Sequence, residues 1–182
     1  MIEILKQIEN DEILGLLANR DNFKSIDIDY HPPRVERIWT QLREYRLCFH
    51  VLHPCNTEEA LYHPHPWPSV IHQLHGEYEM GITHSKNKEF HLSNNSGQWN
   101  DHLRGQEACK IQTSGSMYYE MMDLNGFHYV RPITKCMSVM LMDKPFVSPS
   151  AYKNPPTKKL KELSEVRIEQ IRLWFYDHYA NI

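Results

Sequence analysis

Apolar positions at the two ends of the chain recur at helical spacing. Residues 2 to 19 set Ile4, Leu5, Ile8, Ile13, Leu16 and Leu17 on one stripe, and residues 157 to 179 do the same with Leu160, Leu163, Ile168, Ile171 and Phe175. Each pattern predicts an amphipathic helix. The second follows Pro155-Pro156, so Thr157 is its expected N-cap, and Lys158, Lys159 and Lys161 would oppose its dipole. A shorter helix is expected over 33–44, where Pro32-Pro33 opens the segment and Val35, Ile38, Trp39 and Leu42 fall on one face.

Between these ends the period changes. Short runs rich in aromatic and β-branched residues, broken by Gly, Pro, Asn and Asp, predict strands at 46–53, 59–65, 69–75, 77–84, 107–113, 116–121, 127–133 and 136–143. Eight short strands without intervening helices predict a mainly β sandwich or barrel. Residues 85–105 hold many turn formers and little periodicity, and are expected to form a long loop or a lid, with Trp99 as its large apolar anchor and Phe90 and Leu92 beside it. A chain of 182 residues is expected to be one domain, 1–182: a helical segment over 1–44, a β core over about 46–145 and a helix over about 157–179.

Charge narrows the partners. The net charge of -3, with both signs well mixed, lacks the basic stripe that a phosphate backbone requires, so nucleic acid is not an expected partner. The first residues carry acids among their apolar positions and do not read as a signal peptide, and no run approaches a membrane span. Four scattered cysteines without a CxxC pair read as thiols, and the cytoplasm is the expected compartment. A small molecule is the expected partner, with a homodimer left open.

Histidine changes the picture most. There are 12, five of them between residues 63 and 84. On a strand His63 and His65 share a face, with Tyr62 and Pro64 on the other. A metal needs a further ligand from elsewhere in the chain, and His128, after the Asp123-Leu124-Asn125-Gly126 turn, is the best placed. If the strand over 69–75 runs without a bulge, Ser69, Ile71 and Gln73 share the ligand face, while His72 and His75 differ in parity. Alternation separates Tyr118 and Glu120 from Met117, Tyr119 and Met121, but parity does not say which set faces the pocket.

These spacings resemble the two motifs of the cupin superfamily. The first reads HxH, three or four residues, Glu, six residues, Gly. Here His63-Pro64-His65 is followed by three residues, Ser69 in the glutamate position, and six more to Gly76. The second, PxGxxH, has Asp123 and Asn125 in place of its proline and glycine, and His128 in the histidine position. The leading glycine of the first motif is replaced by Thr57.

The resemblance, covering about residues 46–145, implies a single cupin-type β-barrel, or jelly roll, with flanking helices. It implies one divalent metal on His63, His65 and His128. Lacking the glutamate, the set is similar to three-histidine non-haem iron dioxygenases, thiol dioxygenases among them. Three neutral imidazoles leave a divalent ion its full charge. The function expected from this is Fe(II)-dependent dioxygenation of a small chelating organic substrate, with Zn, Ni, Mn and Cu as alternative metals. Alternatives are a metal-dependent isomerase, lyase or hydrolase, and a non-catalytic binding module. Ser69, Gln73, Tyr118 and Glu120 are the further site residues expected near the metal, Glu120 as a fourth ligand or general base.

Overall fold

The computed structural model describes residues 1–29, 31–60, 62–84, 107, 109–146 and 161–182. Two short helices, α1 (Ile2–Asp11) and α2 (Ile13–Ala18), are followed by strands β1 (Lys24–Ile28), β2 (Val35–Leu42), β3 (Tyr45–Leu52), β4 (His63–Pro64), β5 (Ser69–His75), β6 (Glu77–His84), β7 (Cys109–Ser114), β8 (Met117–Met121), β9 (Gly126–Pro132) and β10 (Cys136–Met142), and by the helix α3 (Glu165–Ala180). The segment expected as a helix over 33–44 is strand β2. Its i, i+3, i+4 stripe is real, but its residues form ladders with β1 on one side and β3 on the other. The β2–β3 turn is only Arg43-Glu44, with Arg43 at φ 56°, a left-handed position normally advertised by Gly or Asn. Without that signal the hairpin does not show in the sequence.

All ladders are antiparallel. One sheet runs β1-β2-β3-β10-β5-β8 and the other β4-β9-β6-β7. From β3 to β10 the chain changes sheet at every connection except the β6–β7 pair, which is the pattern of a double-sheet jelly roll. The sheets do not close into one barrel: among the described residues no ladder joins them. Gly76, at φ 91°, is the whole connection between β5 and β6. A Cβ there would lie 2.5 Å from the Lys135 carbonyl oxygen, so this corner admits only glycine.

Each strand of the larger sheet has one face toward the helices and one toward the smaller sheet. Leu47, Phe49 and Val51 of β3, Val70 and Leu74 of β5, and Val139 and Leu141 of β10 pack with Leu5, Ile8, Leu17, Ile171 and Phe175. The alternate residues Cys48, Ile71 and Met140 face inward and pack with Trp39, Trp67 and Tyr119.

Helix α3 starts at residue 165, not 157. The Ser164 side chain accepts from the Arg167 amide at 3.2 Å and is the observed cap, whereas Thr157 lies outside the described residues. Residues before it are strapped to β1, where the Asp27 amide donates to the Lys161 carbonyl at 2.7 Å. No helix among the described residues is long and apolar enough to cross a membrane.

Glu36 fastens α3 to the sheet. It is buried on the helix face of β2, accepts from Arg167 Nε at 2.7 Å, and meets His53 Nε2 at 2.8 Å. Burial alone would raise its pKa, but hydrogen bonds from Arg167 and His53 overcome that and hold it at about 2. A carboxylate lowered on folding stabilises the fold fully above its unfolded value near 4.5, and that contribution is lost as pH falls toward 2. The difference in unfolding free energy between wild type and Glu36→Gln, measured by urea titration, is therefore expected to be constant above about pH 5.5 and to shrink steadily between about pH 4.5 and 2.5. A difference independent of pH over that range would remove Glu36 as the acid-sensitive tie.

Candidate metal centre

The smaller sheet brings two of the histidines together directly. In the β4–β9 ladder His63 is the cross-strand partner of His128, and Pro64 of Phe127. Cross-strand partners point to the same side. Both imidazoles face inward, while Tyr62 and Tyr129 meet edge to face behind them at 4.9 Å between ring centroids. Gly81 makes that outer packing fit, since a Cβ at this position would overlap the Tyr129 ring at 2.1 Å. His65 keeps the parity of His63, and their rings stack at 5.6 Å.

The three imidazoles converge by their Nε2 atoms. Nε2 of His128 lies 3.0 Å from that of His65 and 3.1 Å from that of His63. At metal–nitrogen bonds of roughly 2.1 Å, ligands at right angles stand roughly 3 Å apart. Among the described residues these three are the one group of histidine, cysteine or carboxylate ligands close enough to hold an ion, all within 4.8 Å of one another.

The far nitrogens are occupied. His128 Nδ1 is 3.3 Å from the Met80 sulfur, and His65 Nδ1 is 2.5 Å from Ser69 Oγ. A thioether can only accept, so the proton of His128 sits on Nδ1 and its Nε2 presents a bare lone pair. Burial first, then the neighbouring imidazoles, push both His65 and His128 well below the ordinary histidine pKa; the Arg37 charge adds to the effect on His65. Both are neutral, the protonation state a metal requires. The triad could therefore hold a metal, with Ser69 and Met80 orienting two of its rings from behind.

The other expected residues are placed differently. Gln73 is buried on the inward face, but its amide nitrogen donates to the Gly76 carbonyl at 2.8 Å and its oxygen accepts from Thr113, so it joins β5 to β7 and does not line the cavity. Tyr118 and Glu120 are on the opposite face of β8 and are corrected from site residues to contacts of α1. Tyr118 stacks on His72 at 3.7 Å and donates to Glu9, and Glu120 pairs with the Met1 amino group at 2.7 Å. The physical reason is parity: β8 gives Met117, Tyr119 and Met121 to the interior. His72 is held between Glu9 and Ser116 on the helix side, and His75 is exposed. The expected lid over 85–105 lies outside the described residues.

A cavity of about 310 Å³ opens on the triad, with mostly apolar walls that include Ile71, Tyr119, Val130 and Met140. Sequence reasoning missed its polar wall. Arg37 of β2 stands opposite His50 of β3, and His50 opposite Ser138 of β10, in one cross-sheet row on the inward face. Arg37 Nε donates to His50 Nε2 at 2.8 Å, and Ser138 Oγ lies 3.4 Å from His50 Nδ1. Burial, then the Arg37 charge, then His65 keep His50 neutral. The signal for Arg37 was strand alternation over 35–42, hidden by the helical stripe.

Neither a protein-family model nor a curated protein matches the sequence. Among solved structures, the hydroxypropylphosphonic acid epoxidase from S. wedmorenis superposes with a TM-score of 0.47 at 9% identity, over 69% of this chain and 57% of that one. Ectoine synthase from P. lautus gives 0.41 at 14% identity, over 75% of this chain and 78% of that one. AerE from Microcystis aeruginosa gives 0.43 at 15%, over 79% and 55%. All of these TM-scores are below 0.5, and the strand order stands by itself as the basis of the fold.

If Ser69 fixes His65 for a metal, Ser69→Ala is expected to weaken metal affinity by about 10- to 100-fold with the fold intact. Competition against a chromophoric chelator measures this, and an unchanged affinity would show that packing alone orients His65.

Proposed function

We propose that the protein is a mononuclear non-haem metal enzyme, specifically an Fe(II)-dependent dioxygenase of a small chelating organic molecule. The observation that carries the reading is the convergence of three Nε2 atoms with the His128 proton committed to Met80 on the far side. Three neutral ligands without a carboxylate suit a divalent cation that keeps its charge. Iron held there would supply the oxygen chemistry.

The chain's own contribution is to shape the site. Trp67, Ile71 and Met140 give the cavity apolar walls. Tyr119, pushed up to about 12 by burial against an opposing contribution from Tyr78, stays protonated and can only present a neutral hydroxyl to a bound molecule. Among the described residues no carboxylate lines the cavity.

Protein purified without a histidine tag is expected to carry close to one divalent metal per chain. His63→Ala, His65→Ala or His128→Ala should each reduce this to a small fraction, with His72→Ala and His75→Ala nearly unchanged, by elemental analysis. Iron-loaded protein should consume oxygen with its substrate, screened over small chelating acids. Turnover that proceeds equally without oxygen would support the isomerase, lyase or hydrolase reading, and retention of metal in His128→Ala would remove the triad.

A further inference from the structure

Beyond the triad, the walls of the cavity carry strong donors. Among the described residues that line it, Arg37 is the single charged side chain. Its Nε is committed to His50, while its two terminal nitrogens make no hydrogen bond or ion pair with any described residue. One more group that lines the same cavity, the Trp67 indole N–H, is buried without a hydrogen-bond partner among the described residues. An indole N–H and a guanidinium can only donate. The buried Trp67 donor costs free energy until a ligand brings an acceptor, and a partly buried guanidinium with no counter-ion among the described residues asks in addition for negative charge.

Geometry selects among anions. Guanidinium presents a planar fork that matches a carboxylate in a bidentate pair, and a cavity of about 310 Å³ is at the small end of ligand pockets. We infer that the cavity takes a small organic carboxylate, its carboxyl group seated on the Arg37 guanidinium and the rest of the molecule directed toward His63, His65 and His128. This rests on the metal-centre reading for what the far end of the ligand meets, but the Arg37 contact stands without it. His50 is the positioning residue: a neutral imidazole held near Ser138, it fixes the Arg37 Nε and leaves the two terminal nitrogens of this lining side chain for a ligand.

Benzoate and its neutral isostere benzamide separate charge recognition from shape. Calorimetric titration is run on the full chain as purified and again after dialysis against a chelator. Benzoate is expected to bind at least tenfold tighter than benzamide in both preparations. Arg37→Met should abolish that preference, and Arg37→Lys should keep part of it through charge without the fork. His50→Leu should weaken it, and His50→Gln, whose amide oxygen can accept from Arg37 Nε, should restore it.

Equal binding of the two probes, or a preference that survives Arg37→Met, overturns the proposal. So does a preference that disappears on chelation, because the carboxylate then sits on the metal. A preference that persists in protein carrying no metal as purified supports the Arg37 contact and counts against the metal-centre reading alone. Should Arg37→Met lose its circular dichroism signature, the Lys and His50 variants decide: a preference unchanged in all of them overturns it.

Discussion

The pairing of His63 with His128 across the β4–β9 ladder is the contact on which the site depends. A cross-strand pair fixes two side chains on one face at a separation set by the backbone, before any metal is considered. Strand parity then delivers His65 to the same side, and the smaller sheet is braced from behind by Tyr62, Phe127 and Tyr129, all buried. The cavity follows from the same alternation in the facing sheet. Every second residue of β2, β3, β5 and β10 is given to the helices, and the rest form the inner wall.

That division lets one sheet do two jobs. Its outer face carries the large apolar core under α1, α2 and α3, together with two polar ties, Glu36 to Arg167 and Glu9 to His72, Tyr118 and Tyr179. Its inner face is free to hold groups a core would not tolerate, such as Arg37 and His50. Such burial of polar groups is costly unless they are paired. The row Arg37, His50 and Ser138 meets part of that cost internally, and the donors left over give the cavity its preference for an acceptor-rich ligand.

Much of this was legible in the sequence. The strands over 69–75 and 77–84 were readable to the residue because Pro68 and Gly76 bound them, and the shared face of His63 and His65 follows from alternation alone. Other features were hidden for identifiable reasons. Val35, Ile38, Trp39 and Leu42 satisfy a helical period by coincidence while serving two faces of a strand, and the Arg43-Glu44 turn lacks the residues that usually mark a hairpin. Alternation separated Tyr118 and Glu120 from Tyr119 but carried no information on which set faced inward. That depended on α1, whose Glu9 binds Tyr118 and His72 from more than 60 residues away in sequence. Gln73 had the right parity and still missed the cavity, because Thr113 and the Gly76 carbonyl claim its amide.

The central claim is that three Nε2 atoms meet at one metal. Anomalous diffraction at the iron edge, from crystals of protein loaded anaerobically with one equivalent of Fe(II), tests it directly. The account predicts a single anomalous peak roughly 2.0–2.2 Å from Nε2 of His63, His65 and His128. A fully occupied peak elsewhere in the chain, with the three imidazoles still in contact and no density between them, would contradict it.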